Sequence, residues 1–151
     1  MNKKTPDTIG YKAEKEHVES NCFGCGVKNP IGLHLTCTYA EDSVTAEIVI
    51  GKNFEGYPGV VHGGIVTTLL DEMMAKAVYV QANIRVATAD LRLRFLSPAR
   101  VEERLRLVAS IRKVDGRKYY TSGRMEAGGK ILAEAEGLFI GVGESLRSEK
   151  G

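Results

Sequence analysis

The stretch Ile65-Val-Thr-Thr-Leu-Leu-Asp-Glu-Met-Met-Ala-Lys-Ala-Val-Tyr-Val-Gln81 decides the fold, because its apolar residues recur with the period of an amphipathic helix. At about 100° per residue, one arc of the helix carries Val66, Leu69, Leu70, Met73, Ala77 and Val80. Glu72 and Lys76 fall on the opposite arc, four residues apart, where we expect a solvated ion pair. No other long helix is predicted.

Segments with the alternation of β-strands flank this helix on both sides. Two predicted strands precede it as a hairpin, and four follow it, with Asp115-Gly116 and Gly128-Gly129 as turn signals. The predicted strands are residues 33–39, 44–50, 86–96, 101–114, 118–126 and 131–142. This order predicts an α+β domain in which an antiparallel sheet wraps one central helix, with a second subunit covering the other face of the sheet.

Length and composition place the chain in a broad class. Its 151 residues are 43% hydrophobic, which suits one domain at residues 21–144. We expect residues 1–20 to be partly disordered, with a short helix at residues 11–20, and residues 145–151 to form a disordered tail. The net charge of +2 provides no basic footprint for nucleic acid. No apolar run approaches the roughly 20 residues of a membrane span, and three cysteines without an export signal predict a cytoplasmic location.

A cysteine motif raises the question of a metal. Cys22-x-x-Cys25, followed by His34 and Cys37, offers four side chains that can ligate zinc. If residues 33–39 form a strand, however, His34 and Cys37 are an odd number of residues apart and point to opposite faces. We therefore expect the cysteines to pack as small apolar side chains under the sheet edge, and we expect no metal.

The sequence His62-Gly63-Gly64 lies where the long helix is predicted to start. Backbone N–H groups at a helix start lack intrahelical partners, and glycines allow another group to approach them closely. Such a helix end can stabilise a developing oxyanion, or the paired glycines can simply permit a tight turn from strand to helix.

Asp71 differs from its neighbour Glu72. It falls among small and apolar residues on the helical wheel, namely Thr67, Met74, Ala75 and Val78, without a basic partner on the same helix. A carboxylate in such surroundings either meets a partner from another element or serves acid/base or nucleophilic chemistry.

Basic residues surround one predicted hairpin turn, at Arg112, Lys113, Arg117 and Lys118. They are either a solvated tip or a group that holds phosphates.

Taken together, two motifs resemble a known family. His62-Gly-Gly-x6-Asp71-Glu72, followed by Phe95-Leu-Ser-Pro-Ala99, resembles the hotdog-fold acyl-CoA thioesterases related to the phenylacetic-acid-degradation thioesterase. The upstream segment from Cys22 to Leu33 resembles a motif found in a subset of that family. The resemblance implies a hotdog sheet around a central helix, a homodimer or dimer of dimers paired through strands, and active sites at the dimer interface. It implies hydrolysis of an acyl-CoA to free acid and CoA, without a separate cofactor.

The resemblance also implies roles for individual residues. Asp71 would be the general base or nucleophile, the Gly63 N–H would polarise the thioester carbonyl, and Thr88 would take the place of a hydroxyl residue from the partner subunit that orients water. His62 belongs to the same catalytic motif. The expected substrate-binding residues are Asn53, Gly64, Thr67, Arg112, Lys113 and Arg117.

One position departs from the family pattern. Many relatives carry Asn or Gln six residues before the histidine, where this chain has Gly56, although Asn53 is close enough in sequence to supply an amide. This departure keeps open an alternative function, a non-catalytic acyl-CoA-binding protein on the same fold.

Overall fold

The computed structural model describes residues 12–142, with side chains from residue 14 onward. The predicted disorder of residues 1–10 and the predicted tail lie outside the described residues. The helices are α1 (Lys12–Val18), a 3₁₀ turn (Lys52–Phe54) and α2 (Gly63–Ala82). The strands are β1 (Cys37–Tyr39), β2 (Val44–Val49), β3 (Val86–Phe95), β4 (Arg104–Asp115), β5 (Lys118–Ala127) and β6 (Lys130–Gly141). No helix in this part of the chain is long and apolar enough to cross a membrane.

The strands form one six-stranded sheet in the order β1-β2-β4-β5-β6-β3, with every neighbouring pair antiparallel. Alternate residues of the central strands point to α2 and are buried, among them Leu105, Leu107, Met125 and Phe139. The helix α2 packs against β2, β3, β4, β5 and β6, so the predicted α+β architecture with one central helix is confirmed. β3, ten residues long, lies at one edge of the sheet.

The predicted first strand is shorter than expected. β1 covers only Cys37–Tyr39, and His34 has a left-handed backbone conformation with φ of 53°. The preceding residues bond to the cysteine loop instead of to a strand: Leu33 N–H donates to Phe23 O at 2.8 Å, and Leu35 N–H to Gly24 O at 2.9 Å. These two bonds hold the loop around Cys22 and Cys25 beside the sheet.

The long helix α2 is buried on more than its apolar arc. All six residues of the predicted arc are buried, as expected. The expectation of a solvated Glu72–Lys76 pair is wrong, because Glu72 is only 8% exposed and Lys76 0%. The helical wheel cannot show that α1 and the cysteine loop cover this arc. Lys76 Nζ donates to the Glu14 carboxylate of α1, which also accepts a 2.5 Å hydrogen bond from Tyr39.

Candidate active site

The start of α2 presents an unpartnered backbone donor. His62 is the N-cap residue, and its Nδ1 accepts a 2.9 Å hydrogen bond from the Gly64 N–H. Among the described residues, no group accepts a hydrogen bond from the Gly63 N–H. The cap therefore occupies one donor at the positive end of the helix and leaves the neighbouring one, at Gly63, for another acceptor.

Gly63 lines an apolar cavity of about 340 Å³ between the helix start and the sheet. A Cβ added to Gly63 would lie 3.8 Å from Phe95 Cε1, so the ring at the end of β3 faces this glycine. Other side chains around the cavity are Val61, Val66, Leu96, Met125 and Leu132. A carbonyl that bonds to Gly63 would have apolar surface beside it.

A second cleft, of about 260 Å³, lies at the same helix start and is lined by Asn53, His62 and Gly64. The structure thus brings the predicted residue Asn53 beside the His-Gly-Gly motif. Gly56 packs on His62, since an added Cβ would lie 3.4 Å from its Cα. Asn53, on the 3₁₀ turn, and Gly56 thus both lie near His62.

Asp71 has a partner on the sheet. Thr88 Oγ1, near the beginning of β3, donates a 2.8 Å hydrogen bond to Asp71 Oδ1. Burial raises the pKa of the half-buried Asp71 carboxyl above its usual value, and the Thr88 hydrogen bond opposes part of that shift. The resemblance implied a hydroxyl from the partner subunit, whereas this hydroxyl comes from the same chain.

Asp71 and Gly63 are far apart within one chain. They are eight residues apart on α2, which corresponds to about 12 Å along the helix axis. A general base and an oxyanion donor must each lie roughly 3 Å from the atoms they act on. The two groups of one chain therefore do not meet at a single thioester.

The other predicted binding residues are dispersed. Thr67 Oγ1 donates to Gly63 O at 2.8 Å, so its proton is used within the helix. Arg112 lies on the outer face of the sheet, in a groove of about 420 Å³, with its Nε donating to Ser122 Oγ at 2.7 Å. Lys113 Nζ lies 5.5 Å from the centroid of the Tyr120 ring, and Arg117 lies in the β4–β5 turn.

A separate cluster of polar side chains surrounds Glu72, and the sequence did not predict it. Glu72 Oε1 lies 2.6 Å from His17 Nε2 of α1, and both Cys22 and Cys25 donate to the same carboxylate. Burial raises the pKa of Glu72, but the hydrogen bond and charge of His17 outweigh it and bring the pKa to about 2. The available signal was His17, five residues before the first cysteine.

The two residues considered with these cysteines from sequence lie elsewhere. His34 is exposed and its Nε2 is 2.5 Å from Asn29 O, while Cys37 is buried against Met73 Sδ at 3.5 Å. Residues 33–36 are not part of a strand, so the expectation that the two side chains point to opposite faces of one strand does not apply.

Comparison with known proteins defines the class. A family model described as the thioesterase superfamily matches residues 58–134, a range that contains the start of α2, Asp71 and Thr88. The chain belongs to the thioesterase superfamily.

Two curated relatives are similar to this chain over part of their length. An uncharacterised protein of Schizosaccharomyces pombe is 34% identical over 91 residues, covering 56% of this chain and 52% of that protein. The acyl-coenzyme A thioesterase THEM4 of Rattus norvegicus is 23% identical over 134 residues, covering 86% of this chain and 57% of that protein. This chain thus spans little more than half the length of these relatives.

Solved structures show the same fold. Thioesterase superfamily member 2 of zebra fish superimposes with a TM-score of 0.72 at 17% identity, covering 91% of this chain and 99% of that one. A phenylacetic acid degradation-related protein of Ralstonia eutropha gives a TM-score of 0.63 at 24% identity, covering 72% and 85% of the two chains. The predicted hotdog architecture is therefore confirmed.

Proposed function

We propose that the protein is an acyl-CoA thioesterase, which hydrolyses an acyl-CoA to the free acid and CoA. The observation that carries this proposal is that one helix bears both an unpartnered N–H, at Gly63, and a half-buried carboxylate, at Asp71. Thr88 holds this carboxylate in place by a hydrogen bond. The similarity to an acyl-coenzyme A thioesterase over 86% of the chain supports the same substrate class.

The two groups suit the two requirements of thioester hydrolysis. The Gly63 N–H, at the positive end of α2, would bind the carbonyl oxygen as it becomes an oxyanion. Asp71 would take a proton from water while the water oxygen attacks the carbonyl carbon. The C–S bond then breaks, and the CoA sulfur leaves as a thiolate that takes up a proton. Alternatively, the Asp71 carboxylate attacks the carbonyl carbon itself, the C–S bond breaks and the CoA thiolate leaves and takes up a proton, and water then hydrolyses the resulting anhydride to the free acid and the Asp71 carboxylate.

The active site would combine two copies of the chain. β3 is a ten-residue edge strand whose outer side pairs with no other strand of residues 12–142. A two-fold axis near Leu91 would pair two β3 strands antiparallel, so the Thr88 end of one faces the Phe95 end of the other. Because Gly63 lies beside Phe95, this pairing moves Gly63 of one copy toward Asp71 of the second copy. We therefore propose a homodimer with two composite sites, with a dimer of dimers as a further assembly.

The surrounding surfaces suit the parts of an acyl-CoA. The apolar cavity beside Gly63 would take the acyl chain, and Asn53, His62, Gly64 and Thr67 would border the thioester. Lys113 and Arg117 lie at the same end of the sheet as Thr88. The register shows this, because Thr88 pairs with Phe139 and Phe139 pairs with Tyr119, which is close to the β4–β5 turn. Lys113 and Arg117, and Arg112 from the outer face, are the cations proposed for the CoA phosphates. A cytoplasmic location fits this substrate.

The experiment is a panel of acyl-CoA esters of different length and aromaticity, with release of CoA followed by a thiol-reactive dye. The wild-type chain should hydrolyse at least one ester, and Asp71→Asn should reduce kcat by about 10²–10⁴-fold while circular dichroism stays unchanged. Asn keeps the acceptor oxygen for Thr88 but cannot act as a base. Saturable acyl-CoA binding without turnover would instead support the alternative of a binding protein, which the absence of a side chain at Gly56 favours.

Gly63→Pro is the matching test of the donor. Proline removes the N–H yet is favoured at the first position of a helix, and the His62 backbone, with φ of −55° and ψ of 136°, already suits a residue before proline. Gly63→Ala is the control, because it keeps the N–H and its Cβ meets nothing closer than 3.8 Å. Loss of kcat in the proline variant alone supports the oxyanion role, and equal loss in both contradicts it.

A further inference from the structure

A cluster of metal-ligating side chains lies around Glu72, about 100° around α2 from Asp71. It joins three parts of the fold, since His17 comes from α1, Cys22 and Cys25 from the loop after it, and Glu72 from α2. One donor atom from each residue lies within 4.8 Å of the donors of the other three. The reaction proposed above uses none of these four side chains.

The donor spacing fits a small tetrahedral ion. Glu72 Oε1 is 2.6 Å from His17 Nε2 and 3.0 Å from Cys25 Sγ. Cys22 Sγ is 3.5 Å from both carboxylate oxygens. In a tetrahedral Zn²⁺ site with bonds of about 2.0–2.3 Å, donor atoms lie roughly 3.3–3.8 Å apart. The four donor atoms would therefore have to move by about 1 Å or less to bind the ion.

Burial and chemistry favour a metal over a solvated polar cluster. Cys25 is 1% exposed and Glu72 is 8% exposed, so this carboxylate is not free to be hydrated. Two thiolates, an imidazole and a carboxylate together match the ligand types of Zn²⁺. Four protein ligands leave no open position, which is typical of a structural site.

The loop that carries the cysteines is fitted closely to Glu72. A Cβ added to Gly24 would lie 2.8 Å from Glu72 Cγ, and one added to Gly26 would lie 2.3 Å from Cys22 N. The turn is closed by the Gly26 N–H, which donates to Cys22 O at 2.8 Å. Without a side chain, Gly24 lets the loop lie against Glu72, and Gly26 lets the loop fold back on Cys22. This close packing places the Cys22 and Cys25 thiols next to the Glu72 carboxylate.

We propose that His17, Cys22, Cys25 and Glu72 bind one Zn²⁺, which fastens α1 and the cysteine loop to α2. The ion replaces the protons that these side chains now share, with the thiols bound as thiolates. The proposed ligand set includes His17 of α1 and excludes His34 and Cys37. It differs from the expectation from sequence, which was that the chain binds no metal.

The first test is the metal content of the full chain, without an affinity tag, purified from zinc-supplemented medium under reducing conditions. We expect about one Zn²⁺ per chain, and less than about a tenth of that in Cys25→Ser and His17→Gln. His34→Gln and Cys37→Ser are the matched controls and should retain the wild-type content. Equal zinc in the cluster variants and in the wild type would overturn the proposal, as would zinc loss confined to the two controls.

A second test uses the wild-type chain alone, so it does not depend on variants that fail to fold. Co²⁺ added to the reduced, metal-free chain should produce thiolate-to-cobalt absorption that saturates at about one ion per chain and is removed by Zn²⁺. On zinc binding, hydrogen exchange should slow in residues 12–26 and stay unchanged in the β4–β5 hairpin. No thiolate–cobalt absorption, or a Cys22–Cys25 disulfide in place of metal in the purified chain, would contradict the proposal.

Discussion

Thr88 on the edge strand β3 donates a 2.8 Å hydrogen bond to Asp71 on the central helix. Within the described residues, β3 is the only edge strand long enough to pair with a second copy. The hydrogen bond connects this strand to the carboxylate that we propose as the base. A change in the position of β3 would therefore also change the position of the Asp71 carboxylate.

Removing the Thr88 hydroxyl should therefore impair turnover more than substrate binding. A hydrogen bond to a charged group contributes about 1.5–3 kcal/mol, so Thr88→Val should lower kcat by roughly 10- to 100-fold with little change in KM. Steady-state kinetics with the best acyl-CoA checks this. Thr88→Ser keeps the hydroxyl and should retain most of the activity; a serine variant as impaired as the valine variant would argue against the hydrogen bond.

Asn53 should contribute to the site from the 3₁₀ turn. Because Asn53 lines the cleft with His62 and Gly64, Asn53→Ala should reduce kcat/KM by about 10-fold, the loss expected for one hydrogen bond of about 1.4 kcal/mol. Lys52→Ala changes the preceding exposed residue, which does not line that cleft, and serves as the control. Unchanged kinetics in Asn53→Ala would remove this residue from the proposed site.

The basic residues at the hairpin should recognise the nucleotide part of the substrate. Lys113→Ala combined with Arg117→Ala should raise KM for acyl-CoA several-fold at low salt, and the difference should shrink as salt increases. An acyl thioester of a short thiol without phosphates should show no such effect. Arg106→Ala, which removes an outer-face cation paired with Glu126, is the control. Equal effects on both thioesters would contradict phosphate binding.

The buried pair of Lys76 and Glu14 should be important for stability. Lys76→Met leaves the Glu14 carboxylate buried with the Tyr39 hydroxyl as its one remaining hydrogen-bond partner among the described residues, and should lower the free energy of unfolding by about 3–5 kcal/mol. Adding Glu14→Gln removes the unpaired charge and should recover most of that loss. Urea unfolding of the two variants measures this, and a double variant no more stable than Lys76→Met would contradict the account.

The sequence predicted the features that depend on local periodicity. The apolar arc of α2, the order of helix and strands along the chain, and the hairpin turns at Gly116 and Gly128-Gly129 all follow from patterns within a few residues, and each was found. The order of the strands within the sheet was not predicted. Asp71 was singled out because it lacked a basic partner on its own helix, and its partner proved to be the Thr88 hydroxyl on β3.

The features that sequence reasoning missed depend on contacts between distant segments. The helical wheel places Glu72 and Lys76 opposite the apolar stripe, but it contains no information on what packs against that side. His17 lies 55 residues from Glu72 in sequence, and Glu14 lies 62 from Lys76. Similarly, residues 33–36 have a strand-like pattern, yet the Leu33 and Leu35 N–H groups donate to the cysteine loop instead.

The central claim is that one active site uses Gly63 from one copy and Asp71 from another, and mixed dimers test it most directly. Chains carrying Gly63→Pro and chains carrying Asp71→Asn, each inactive alone, are co-expressed with different tags, and the mixed dimer is isolated. One of its two sites then has both groups intact, so we predict about half the wild-type activity per dimer. A mixed dimer as inactive as its two parents would contradict the account.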